Sequence, residues 1–273
     1  MGDIGEQAHT VGRRAQDSEW LERAARFGLL TYGLVHLTIG WLAIQLAFGD
    51  RSGSSDSTGA LRALATQPFG AVVVWLVAIG MFLLTAWRLL EAAVGDPEKD
   101  GASDVAYRLK AVGRAAIFGY LGWGAVRIAL DEGGSGGGTD SFTARVMDAP
   151  AGQLLVGAIG VGIIGYGGHL VWKGCTDGFT DDLSPEATSG RAGTAYTWIG
   201  RVGHVAKGVA LGIVGVLFVN AAAQHQPKKS GGLDQALREV LDQPFGPFLL
   251  CLIGAGIACY GAFALIRARH LDQ

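Results

Sequence analysis

Residues 60–70 read ALRALATQPFG, and residues 236–246 read ALREVLDQPFG. Two stretches this alike in one chain, each running straight into a long apolar segment, mark an internal repeat. A third, shorter version stands between them. Three loops therefore end on Pro-x-Gly: Pro68-Phe69-Gly70, Pro150-Ala151-Gly152 and Pro244-Phe245-Gly246. A further glycine lies twelve residues past each proline, at Gly80, Gly162 and Gly256. The apolar segments before the loops repeat as well. Gly28, Gly33 and Gly40 are spaced as are Gly203, Gly208 and Gly215, while the middle copy keeps Gly113 and then drifts to Gly119, Gly122 and Gly124.

The chain has 273 residues, 49% hydrophobic and only 17% charged, with 44 glycines and a mean hydropathy of +0.31. Soluble domains carry about 25% charged residues. Few charges and abundant glycine point to lipid as the solvent. About 20 apolar residues cross the hydrocarbon core as a helix, and six stretches qualify: 27–48, 71–91, 111–130, 153–173, 200–222 and 247–267. The third carries Arg114 and Arg127 near its ends, and the fourth is diluted by glycine. Paired by the repeat, the spans give copies at 20–95, 105–176 and 195–270, after a polar tail at 1–19. That tail has no apolar core, so the first span is expected to be retained rather than cleaved. The expectation is an all-α integral membrane six-helix bundle of three tandem two-helix hairpins. Two spans per copy keep the copies parallel, related by an axis along the membrane normal.

Charge placement orients the bundle. One set of flanks holds Arg13, Arg14, Arg23, Arg26, then Arg88, Lys99, Arg108, Lys110, Arg114, then Lys173, Arg191, Arg201, and last Arg267 and Arg269. The opposite flanks hold Arg51, Arg62, Arg127, Arg145, Lys228, Lys229 and Arg238. At about two to one, the positive-inside rule puts both termini in the cytoplasm. The net charge of −2 leaves no nucleic-acid footprint.

The repeated Arg/Gly entry to the odd-numbered spans and the Pro-x-Gly entry to the even-numbered ones, over about residues 20–270, resemble a bacterial family, domain of unknown function 1206 (DUF1206). The resemblance implies a three-copy, six-span protein of the bacterial plasma membrane. It brings no established activity and no catalytic residues.

Individual residues are weighed against plain structural roles. Pro-x-Gly is expected to start each even-numbered span, with proline tolerated in the first helical turn. Leu233, Leu237, Val240 and Leu241 recur at helical spacing opposite Asp234, Arg238, Glu239 and Asp242, which predicts a short amphipathic helix at the outer interface or capping the bundle. Gly208-x-x-x-Gly212 and the glycines of the fourth span let helix backbones approach closely, and the fourth span is expected to be central. Arg88, Glu91, Lys173 and Arg127 sit near span ends and are read as anchors that reach the interface, with Arg88 and Glu91 spaced to pair.

Two residues lie deeper. His36 is ~14 Å into the first span and Lys207 ~11 Å into the fifth at 1.5 Å per residue. His204 precedes Lys207 by three residues, and His169 sits four from the inner end of the fourth span. These four form the candidate intramembrane polar site, because ionisable groups at such depth default to function. A hydrogen-bonded core histidine and a snorkelling lysine are the plainer reading. Cys175, Cys251 and Cys259 show no metal or redox spacing, and the glycine-rich run at 133–138 lacks the ending of a phosphate-binding loop. No cofactor, metal or catalytic constellation is implied. The function expected is a non-enzymatic scaffold or accessory subunit packing against a membrane partner or a second copy. The alternative is a small channel or transporter for an ion or small solute along the repeat axis.

Overall fold

The computed structural model describes residues 19–50, 53–95, 101–130, 147, 151–183, 187, 189–226, 230 and 232–270. Pro150, the run at 133–138 and the tail before residue 19 lie outside the described residues. Among them the chain is all helical: α1 (Glu19–Ala47), α2 (Ser57–Ala65), α3 (Gly70–Val94), α4 (Ala102–Ala129), α5 (Gly152–Cys175), α6 (Gly190–Gln224), α7 (Leu233–Leu241) and α8 (Gly246–Arg269), with one 3-10 turn at Thr180–Asp182. Five of these, α1, α3, α5, α6 and α8, are long and apolar enough to cross a membrane. The sixth expected span falls on α4, which is continuous over 102–129 but less apolar than the others. Arg114, Arg127 and the glycines at 113, 119, 122 and 124 dilute it.

The helices gather into two compact units. The first holds α1 up to Tyr32 with α3 and α4, and the second holds α1 from Gly33, α2 up to Leu64, and α5 to α8. In the first unit α1 lies close on α3: a Cβ on Gly28 would stand 2.7 Å from the Gly80 carbonyl oxygen and collide with Leu84. The entry to α4 is tied to the end of α3 by one guanidinium. Arg108 donates to the carbonyls of Ala92, Ala93 and Val94 at 3.1, 2.8 and 3.1 Å, while Asp104 holds it at 2.7 Å. A cation there satisfies the orphan carbonyls of a helix C-terminus and meets its negative dipole end.

In the second unit one crossing occurs twice. A Cβ on Gly33 would stand 2.8 Å from the Gly261 carbonyl, and one on Gly261 would stand 2.8 Å from that of Gly33. One turn-pair further on, Gly40 and Gly254 do the same at 2.6 and 3.0 Å. Gly208 with Gly167 (2.5 and 2.6 Å) and Gly215 with Gly160 (2.7 and 2.9 Å) repeat the pattern between α6 and α5. The partner glycines lie ten and seventeen residues past Pro244 and Pro150 alike. Without side chains between them, the backbones of such helices come into direct van der Waals contact, the main source of helix association where lipid replaces water.

The Pro-x-Gly stretches at 68–70 and 244–246 build the same turn, and Ala151 of the second copy has the same backbone conformation. Phe69, Ala151 and Phe245 sit on left-handed backbone at φ 61 with ψ 18, 12 and 20. Gly70 and Gly246 donate their N–H to the carbonyls of Gln67 and Gln243 at 2.7 and 2.8 Å. Proline second and positive φ third is a type II turn. The helices therefore begin at the glycine, and Pro68 and Pro244 stand two residues before the first turn rather than within it. Gly246 is required by close approach, because a Cβ there would run into the backbone of Leu241. The residue before it is not glycine, and left-handed backbone costs such a residue about 1–2 kcal/mol.

The amphipathic helix expected before the third turn is α7, with Ala236 and Leu237 fully buried. The first copy has its counterpart in α2, where Ala60 and Leu61 are buried. Asp234 accepts from the Ser55 N–H at 2.7 Å and pairs with Arg238 at 2.8 Å, and Arg238 reaches the Gly53 carbonyl at 3.1 Å. The segments that precede the Pro-x-Gly turns of the first and third copies are thus fastened together. The fourth expected span is not central: α5 is the least buried of the five apolar helices. Its glycines occupy more than one face, and only the face carrying Gly160, Gly167 and Gly174 packs on α6.

Candidate functional site

Three of the four deep polar residues meet in the second unit. Lys207 on α6 places its Nζ 3.1 Å from Nε2 of His36 on α1. The same amine lies 3.8 Å from the centroid of the Tyr260 ring on α8. That ring stands 5.2 Å from His36 and 5.1 Å from His204. Glycine makes the arrangement possible: a Cβ on Gly203 would stand 2.6 Å from Tyr260 Cα, so α8 approaches α6 closely enough for the phenol to cover Lys207.

His204 is enclosed. The Phe179 ring stacks on it at 4.9 Å and 14°, Phe263 meets it edge-on at 5.1 Å, and it is 4% exposed. Phe179 reaches this position because Gly200 has no side chain to block it. Nδ1 of His204 lies 2.7 Å from the Gly200 carbonyl. A carbonyl only accepts, so Nδ1 carries the proton and donates. His204 is therefore held by its own helix and enclosed by the rings of Phe179, Tyr260 and Phe263.

The pair above it has a different character. A contact between two nitrogen bases needs one N–H and one lone pair. With Lys207 as the ammonium, His36 must present a bare Nε2 and keep its proton on Nδ1. His36 is 7% exposed and Lys207 is half-buried, and with the ammonium form the bond is charge-assisted, a class of bond that is strong in apolar surroundings. Tyr260 adds a ring face to the same cation. The cluster fastens the first helix of the first copy to both helices of the third.

His169 does not join it. It is exposed on α5, on a side of that helix away from Gly167 and Gly174. Arg88 and Glu91 pair as their spacing suggests, at 2.5 Å, and Trp87 Nε1 donates to the same carboxylate at 2.7 Å. Arg88 is buried in its unit rather than reaching outward, which corrects its reading as an anchor. Among the described residues, no group of three or more His, Cys, Asp or Glu is placed to hold a metal ion.

The sequence reading missed Tyr260 and Phe179. Tyr260 stands sixteen residues past Pro244, where the first copy has Leu84 and the second Tyr166, so copy-by-copy comparison marks the position without giving its role. Phe179 carried no signal, because it lies in the short segment between α5 and α6 that the repeat does not cover.

Comparison with known proteins agrees with the repeat. The family model described as Domain of Unknown Function (DUF1206) matches three times, over residues 27–95, 109–177 and 202–270. The chain is also similar to the uncharacterized protein YxxB of Bacillus subtilis (strain 168), at 27% identity over 256 residues, which is 93% of this chain and 92% of the relative. No solved structure matches.

Proposed function

This chain belongs to the DUF1206 family, and we propose that it is a non-enzymatic membrane scaffold that offers one helix to a membrane partner or to a second copy of itself. In this reading α4 is the sixth span. At 28 residues it is ~42 Å long at 1.5 Å per residue, more than a bilayer core requires, and it leads its copy as α1 and α6 lead theirs. The three copies run parallel about an axis along the membrane normal in the bacterial plasma membrane, with both termini and the basic flanks in the cytoplasm.

The observation that carries the scaffold reading is the second glycine face of α5. Gly162, Gly165 and Gly168 have nothing within 4 Å of where a Cβ would stand. Gly160 and Gly167 on the same helix are filled by α6. One face is used inside the chain, and the other has the small-residue surface that transmembrane helices use to associate. Leucine at 162 and 165 is expected to leave the melting temperature of the monomer unchanged and to abolish co-purification of the partner, or of a tagged second copy, in mild detergent. Wild-type protein that emerges from native membranes only as a bare monomer would sink the reading.

A second reading has its own observation. Lys207 and His36 meet inside the apolar zone, as a route for an ion or small solute along the repeat axis requires. Purified protein in sealed liposomes is then expected to carry a flux that His36→Gln and Lys207→Gln both remove. Liposomes as tight as empty ones under imposed potassium, chloride and proton gradients exclude it.

A further inference from the structure

We propose that Phe69 and Phe245 are interfacial anchors, phenyl rings held out from left-handed backbone into the headgroup–acyl boundary of the bilayer, which set the depth at which α3 and α8 enter it. The inference goes beyond the scaffold reading and does not depend on it.

All three Pro-x-Gly turns place the middle residue at φ 61, a conformation that glycine adopts freely and a residue with a Cβ resists. The second copy places Ala151 there, with the smallest possible side chain. The first and third copies place a phenylalanine, a bulky ring for which positive φ is an outlier. Something must offset the strain twice.

Packing within the protein does not. Phe69 is 84% exposed and Phe245 83%. Nor does water, because a phenyl ring left in water gains nothing on folding. The surroundings that reward the ring are apolar ones outside the protein. The pattern of neighbouring residues says which. Phe69, Val72, Leu76 and Ile79 follow one another at i, i+3, i+7 and i+10, and all are exposed. Phe245, Phe248, Leu252 and Ala255 repeat the same stripe on α8. Each phenyl thus extends the lipid-facing stripe of its helix by one position beyond the helix start. It stands where the apolar span gives way to Gln67-Pro68 and Gln243-Pro244. Tryptophan and tyrosine rings favour that boundary and fix helix position there, and phenylalanine on an interfacial apolar face is buried at the same level.

The test uses the full chain in phospholipid nanodiscs with p-benzoylphenylalanine at position 69, 245 or, as control, at Glu239 on the polar side of α7. The benzophenone inserts into C–H bonds within reach and returns unchanged from water. Irradiation is expected to give phospholipid adducts at 69 and 245 in about tenfold higher yield than at 239, read by intact mass. Yields at 69 and 245 equal to the control overturn the proposal. So do adducts to protein in place of lipid, which would make these rings a docking surface. Should the larger ring disturb folding, the wild-type chain with protonated phenylalanine in a deuterated background answers the same question. Magnetisation transfer from the Phe245 ring to lipid glycerol and upper acyl protons is expected, with Phe245→Leu assigning the signal. Transfer to water alone refutes it.

Discussion

Replacing His36 with leucine is expected to destabilise the protein by about 2–4 kcal/mol, and replacing Lys207 with leucine in the same chain to recover most of that loss. Lys207 Nζ and His36 Nε2 are in contact at 3.1 Å. Leucine at 36 is sterically tolerable: by the repeat, the third copy has Leu211 at that place. It would leave the Lys207 ammonium over the Tyr260 ring with its hydrogen-bond acceptor on α1 removed. A buried cation that loses a partner costs more than the pair was worth, because its desolvation is no longer compensated. The lower part of that range applies because Lys207 is only half-buried. Lysine-to-leucine alone is expected to cost about 1–2 kcal/mol, the price of an imidazole nitrogen without its donor. Reversible unfolding in mixed micelles, with the four proteins arranged as a double-mutant cycle, measures the coupling. A double variant no more stable than His36→Leu would show that the two residues do not act together.

How much of this was legible beforehand depended on which interactions lie along the chain and which lie across it. The three copies could be read because a type II turn requires residues in fixed order, and Pro-x-Gly writes that order three times. The short amphipathic helix α7 was legible for the same local reason, from apolar residues at helical spacing. The positive φ at Phe69 and Phe245 was not, because phenylalanine gives no signal for left-handed backbone. His36 and Lys207 stood out by depth, but nothing in the sequence says that α1 packs against α6. That pairing joins the first copy to the third, and a repeat shows which residues correspond without showing which copies touch. Lys207 occupies the position of Tyr32 in the first copy, where Tyr32 meets Phe118 edge-on at 5.3 Å. One site in the repeat therefore serves as an aromatic contact in one copy and as a cation in another. His169 was grouped with the others by its depth alone. The many glycines of α5 hid which face would be packed, so the helix was expected to be central and its histidine was a candidate for the polar site.

The glycine crossings lead to the second large effect, and it discriminates between glycines that look alike in the sequence. Valine at Gly208 is expected to cost about 3 kcal/mol or to prevent folding outright, while alanine at Gly212 is expected to be neutral within about 0.5 kcal/mol. Both belong to the same Gly-x-x-x-Gly. A Cβ on Gly208 would stand 2.5 Å from the Gly167 carbonyl and 2.9 Å from the Val171 nitrogen, backbone atoms that cannot turn aside. Adding it forces α5 and α6 apart along a contact that also includes Gly160 and Gly215, and the dispersion lost there has no hydrophobic effect to replace it in lipid. Gly212 has open space where its own Cβ would stand, and alanine there gains helix propensity. Valine at Gly33 repeats the experiment at the other crossing, where Gly261 plays the part of Gly167. If the two glycine crossings are one device used twice, Gly33→Val and Gly208→Val must fall together. A Gly33 variant as stable as the parent would mean that α1 and α8 are held by Lys207, His36 and Tyr260 rather than by backbone contact.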